Sequence, residues 1–147
     1  DHRHHYWQRC WQQVIRQTPG SLFSWYQMEN VNKFNDPETS KEVLYDIIKH
    51  REKKLKAHFG YAVAPYPNFL LNMSGYMSMD MDQMERAKLY FELTIEYYPN
   101  SPNSYDSMAD YYERNGDNDN AIKFVTKAYE ISGDDSYKER IEALKKK

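Results

Sequence analysis

Cysteine is all but missing from this sequence. Its 147 residues contain one, Cys10, which excludes an internal disulfide and leaves the redox compartment open. Long apolar runs are missing too: nothing approaches the roughly 18 consecutive apolar residues of a membrane helix. An excess of one charge is also absent, since 20 basic and 22 acidic residues leave a formal net charge of −2. A general nucleic-acid binder needs a basic face to neutralise phosphates, so that class is excluded. The basic clusters that do occur, KHREKKLK at 49–56 and the terminal KKK, read as solvated helix faces. Neither a starting methionine nor a signal-peptide pattern precedes Asp1, so the chain is expected to be part of a longer or processed protein.

Aromatic residues, by contrast, are abundant: 14 Tyr, 6 Phe and 3 Trp make up 16% of the chain. Tyrosine buries a ring while keeping its hydroxyl hydrated or bonded, which suits both helix packing and binding surfaces. The spacing of the apolar residues is helical throughout. Trp7, Cys10, Trp11, Val14 and Ile15 predict an amphipathic helix ended by Pro19-Gly20, and ENVNKFND (29–36) reads as a polar loop. Asp36-Pro37 predicts the start of a long helix over 37–58, with Val43, Leu44, Ile47, Ile48, Leu55 and Phe59 as its stripe and Gly60 as its stop. The two prolines of YAVAPYPN then break the chain. Helices are expected over about 68–78, 83–97 behind an Asp82…Glu85 capping box, 102–114 behind Ser101-Pro102, and 118–131 behind Asp117. A last helix opens at a Ser136…Glu139 box. The predicted class is all-α, with residues 1–35 as an N-terminal helix and connecting segment and 36–147 as a helical domain.

Sliding the chain back by 34 residues puts Ala109 on Gly75, Ala121 on Ala87, Val125 on Phe91, Ala128 on Thr94 and Gly133 on Pro99. That period is the tetratricopeptide one, in which each unit is a helical hairpin and small residues let its two helices approach closely. The chain thus resembles a stack of antiparallel helix pairs. Two repeats are expected, at about 68–101 and 102–135, with 136–147 as a capping helix and 37–58 as cover at the other end. The small residues Gly75, Ala87, Ala109 and Ala121 are read as contact points between helices.

A narrower likeness lies in YYPNSPNSYDSMADYYERNGDNDNAIKFVTKAYEIS and, upstream, HFGYAVAPYPNFLLNMSGYM. Over about residues 40–147 these stretches resemble the C-terminal tail of bacterial putative esterases. There an α/β-hydrolase domain of the esterase D or siderophore-esterase type precedes a helical tail. The resemblance implies an accessory tail that packs on its own upstream catalytic domain or on another protein, or that associates with itself. It also implies an extracytoplasmic location. The alternative is a stand-alone repeat adaptor.

Catalytic residues are not expected here. Serine-hydrolase chemistry needs a nucleophile on a strand–turn–helix elbow, G-x-S-x-G, and the chain has neither that motif nor a parallel-sheet pattern. The full-length protein, on the resemblance, would be the hydrolase. Asp1 with His2, His4 and His5 is a candidate grip for nickel, copper or zinc, and Met73, Met77, Met79, Met81 and Met84 are candidate copper(I) thioethers. The histidines read as residues of a frayed terminus, and methionine is a common filler of cores, so no cofactor is expected. The helical period projects Phe69, Asn72, Tyr76 and Met79 from the first repeat, and Asn103, Asp106, Asp110 and Glu113 from the second, onto one groove. This row is acidic. It would repel a chaperone C-terminal carboxylate and suits a basic or amide-rich segment.

Overall fold

In the computed structural model, which describes residues 29–146, all regular structure is helical. The expected N-terminal helix, its tryptophans and the His2/His4/His5 cluster lie outside the described residues. Two units meet in sequence at Pro65 and Tyr66, within the stretch that the prolines were expected to break.

The first unit holds α1 (Val31–Asn35) and α2 (Lys41–Phe59). The polar stretch 29–36 is thus partly helical rather than a loop, entered through Asn30 in the left-handed region at φ 59°. Helix α2 starts four residues later than Asp36-Pro37 predicts. Ser40 is its cap, with Oγ accepting from the Val43 N–H at 3.4 Å. Asp36 instead donates its N–H to Asn32 O and accepts from the Glu38 N–H through Oδ1 at 3.0 Å. An aspartate that bonds the backbone two residues on stabilises a turn rather than a helix start. At the other end Gly60, at φ 80°, closes the helix by donating to Lys56 O. The buried stripe is Leu44, Ile48, Arg51 and Leu55. Val43 and Phe59, expected on it, are exposed. Arg51 can be buried because its Nε donates to Pro65 O at 2.9 Å.

The second unit is a run of five helices: α3 (Asn68–Asp80), α4 (Met84–Tyr97), α5 (Pro102–Arg114), α6 (Asn118–Ser132) and α7 (Asp135–Lys145). Each packs on the next, with α3/α4 and α5/α6 as the hairpins and α7 closing the row. The Asp82…Glu85 box does not form. Asp82 takes φ 59° in the tight turn between α3 and α4, a conformation that aspartate tolerates, and Gln83 stands at the cap position. Pro102 opens α5 as expected, although the Ser101 hydroxyl makes no cap bond. Asp117 caps α6 through Oδ1, which accepts from the Asn120 N–H at 3.0 Å. The cap of α7 is Asp134, bonded by the Ser136 N–H at 2.9 Å, two residues before the expected box. Asp134 wins because Gly133, at φ 66°, has just ended α6 and leaves it in extended backbone.

Among the described residues two apolar clusters lie in this unit, one per repeat. Met79, Ala87, Phe91, Met108 and Tyr111 form the first, flanked by Tyr76, Met84, Ile95, Tyr112 and Phe124. Ala109, Ala121, Val125 and Leu144 form the second, flanked by Tyr112, Ile122, Phe124, Tyr137 and Ile141. Both clusters therefore span a hairpin and the first helix of the next one. Gly75, Ala87, Ala109 and Ala121, the expected contact points, are all buried. A methyl group on Gly75 would lie 2.4 Å from the Phe91 ring, so only glycine fits there.

Candidate functional site

Helices α3, α5 and α7 are the first helices of successive repeats, and their polar side chains bond across one repeat length. Tyr76 of α3 donates its hydroxyl proton to Asp110 Oδ2 of α5 at 2.5 Å, 34 residues on. Arg114 of α5 reaches back to Asp80 of α3 at 3.2 Å, and Arg140 of α7 bonds Asp106 of α5 at 2.5 Å, again 34 residues apart in each case. Asn68 Nδ2 donates to Ser104 Oγ at 3.1 Å at the start of the two helices. Equivalent positions of adjacent repeats are neighbours, so the repeat period becomes a ladder of cross-helix contacts.

Tyr76 apart, the expected groove residues fall into three groups. Phe69 stands out from α3 with 63% of its surface exposed, and Asn103 is exposed on α5. Asn72, half-buried, has a shielded Oδ1 with no hydrogen-bond partner. Met79 does not line a groove at all. It is buried against Ala87 and Phe91, since it lies one turn beyond Gly75 on the stripe that faces α4.

Asp106, Asp110 and Glu113 form the third group, and all three converge on Arg140. Its Nη1 donates to Asp106, and its Nη2 donates to Asp110 and, at 3.0 Å, to Glu113. These side chains are only about a quarter to a third exposed, with relative areas of 25–35%. A planar guanidinium shared by three carboxylates in partial burial is worth more than an exposed pair such as Arg114–Asp80, which contributes roughly 0–1 kcal/mol. Burial pushes the Asp106 carboxyl above its ordinary value, partly offset by Arg140. Burial works against the Arg140 charge, yet Asp110, Glu113 and Asp106 together hold it above its ordinary pKa.

Tyr76 joins this cluster to the core. Its ring packs edge-on against Phe91 at 5.2 Å, while its hydroxyl meets Asp110 and lies 3.1 Å from Ser107 Oγ. Burial, reinforced by the bond to the Asp110 carboxylate, raises its pKa well above the usual tyrosine value. Arg140 was missed in the sequence. The signal for it was available in the period, because opposite charges sit 34 residues apart at Asp80/Arg114 and Asp106/Arg140.

Among the described residues no three His, Cys, Asp or Glu side chains are grouped as metal donors. No described helix is long and apolar enough to cross a membrane. The chain finds no match among curated proteins. A family model described as Tetratricopeptide repeat matches residues 102–135, the span of α5, α6 and the turn into α7. The fold is accordingly all-α, built of antiparallel helix pairs of tetratricopeptide type, and repeats of this type mediate protein–protein contacts.

Proposed function

We propose that the second unit is a non-catalytic module that packs a protein segment across α3 and α5. The observation that carries this reading is the exposed Phe69 ring on α3. An exposed aromatic anchor suits a segment that brings an apolar side chain. Asp106, Asp110 and Glu113 add a preference for basic side chains. The test is a titration of the chain and its Phe69→Glu variant with immobilised basic and amide-rich peptides. The wild type should bind and the variant should lose at least tenfold; equal binding by both would remove this face from the reading.

The module is read further as the accessory tail of a larger serine hydrolase of the esterase kind, packing on the catalytic domain of the same protein. Support comes from the resemblance of residues 40–147 to such tails. The mass of the native gene product and the sequence upstream of Asp1 decide it: a G-x-S-x-G elbow there supports the tail. If the native protein ends near the mass of this chain, the stand-alone adaptor is the correct reading.

A further inference from the structure

The turn between α5 and α6 holds the single asparagine–glycine step of the sequence, Asn115-Gly116. Among the described residues three glycines take a left-handed backbone, and the other two follow Phe59 and Ser132, which carry no side-chain amide. Gly116, at φ 75°, is the residue that this turn requires. Its missing Cβ also leaves its amide nitrogen unhindered as a nucleophile toward the side chain before it. In the folded turn that nitrogen is out of position. A five-membered ring through Asn115 Cγ needs Cβ and the Gly116 nitrogen eclipsed about the Cα–C bond. At the Asn115 ψ of 1° they stand about 120° apart. Both reacting groups are bonded as well: the Gly116 N–H donates to Glu113 O at 3.0 Å, and Asn115 Nδ2 donates to Tyr111 O at 2.8 Å.

We propose that Asn115 is a site of non-enzymatic modification, guarded by the folded α5–α6 turn and released when that hairpin opens. Once ψ is free, the Gly116 nitrogen gives its proton to solvent and attacks Asn115 Cγ. The N–Cγ bond forms, the Cγ–Nδ2 bond breaks, and Nδ2 takes up a proton and leaves as ammonia. Water then opens the succinimide. Attack at Cγ leaves aspartate, and attack at the main-chain carbonyl carbon leaves isoaspartate, with the backbone running through the side chain. The sum is one water in and one ammonia out. Either product weakens the turn that guarded it. The new carboxylate has no N–H for Tyr111 O, and it puts a negative charge at the C-terminal end of α5, between Glu113 and Asp117. Isoaspartate also lengthens a turn held by Gly116 N–H on Glu113 O and by Asp117 N–H on Tyr112 O at 2.9 Å. A chain that has opened here is therefore marked, and the mark favours reopening.

The test uses the full chain, held in mildly alkaline buffer either folded or unfolded in guanidinium chloride, then digested and mapped by mass spectrometry. Asn115 should lose its amide at least tenfold faster in the unfolded chain, ahead of Asn118 and Asn120 nearby, with isoaspartate among the products. Asn115→Gln, whose longer side chain needs a six-membered ring, should keep its amide in both states. Asn115→Asp should melt below the wild type. Loss at equal rates in the folded and unfolded chain would overturn the guard. An amide that survives in the unfolded chain as long as those of Asn118 and Asn120 would overturn the site itself. An Asn115→Asp variant that melts with the wild type would overturn the damage to the turn.

Discussion

Where α3 meets α4, a glycine faces a phenylalanine; one repeat later, where α5 meets α6, an alanine shares its cluster with a valine. The two hairpins thus fill the same gap with the volume distributed differently. Gly75 gives up its side chain so that the Phe91 ring can reach the α3 backbone, and the ring then supports Tyr76 edge-on. In the second hairpin Ala109 keeps its methyl, Val125 is shorter, and the aromatic contact moves outward to Tyr112 stacked on Phe124 at 5.4 Å. The neighbours of the two A-type helices differ as well. In the partly buried zone α3 is tied to α5 through a tyrosine hydroxyl, with Arg114–Asp80 as an exposed ion pair beyond it, whereas α5 is tied to α7 through a partly buried charged fork. A close-packed interior fixes total volume more tightly than it fixes which residue supplies it.

The sharpest way to break this equivalence is Ala109→Leu. With Ala109 fully buried beside Ala121 and Val125, the three added carbons should cost about 3 kcal/mol, read as a lowered midpoint in urea. An unchanged midpoint would mean the helices are not in contact there.

Gly75→Ala comes next. Alanine is the better helix former by about 0.5–1 kcal/mol, but its methyl would meet a fully buried ring at 2.4 Å. The clash should win, leaving a net loss of about 1–2 kcal/mol. Phe91→Val on its own opens a cavity and should cost about 3 kcal/mol. Together the two substitutions copy the second hairpin, so the pair should cost at least ~1 kcal/mol less than the sum of the singles. Strict additivity in that cycle would refute the volume exchange.

Tyr76→Phe keeps the ring on Phe91 and removes the hydroxyl from Asp110. A loss of about 1–2 kcal/mol is expected, since the bond runs to a charged acceptor. The same change at Tyr112, for which no bond through its hydroxyl is described, should leave stability nearly unchanged, and an equal loss at both would show that the hydroxyl is not what matters.

The smallest effect concerns acid. Hydrogen bonds from the Asn120 side chain and backbone hold Asp117 below its ordinary pKa. A carboxyl lowered in the folded state stabilises above its unfolded pKa and loses that contribution as pH falls through the folded value. Asp117→Asn retains a capping acceptor that does not titrate, so its melting temperature should fall less than that of the wild type between about pH 4 and pH 2. Asp106, raised by burial, works in the opposite sense and favours the fold as it becomes protonated. Parallel acid curves for wild type and variant would remove Asp117 from the account.

Much of the second unit could be read before any coordinates. Apolar spacing located α4, α5 and α6 to within a residue or so, and the 34-residue period identified the small contact residues. The cap of α2 was misread because Asp36 and Ser40 are both good caps. Their competition is settled by an aspartate turn at Glu38, which spacing does not reveal. The acidic residues of α5 were placed correctly on a shared face, but their partner was not. Sequence patterns of period 3.6 report which residues share a helix face, while the partner of a charge is set by the helix packed alongside, here 27–34 residues away.

Sequence alone determined the helical class, the breaks at Gly60 and the prolines, and the repeat register, because these follow from local backbone preferences and from periodicity along the chain. Tertiary structure alone decided that Met79 is core rather than groove, that a ring fills the space above Gly75, and that one guanidinium serves Asp110 and Glu113 as well as Asp106. Those outcomes depend on volume and charge contributed by a different helix, and no local pattern carries that information.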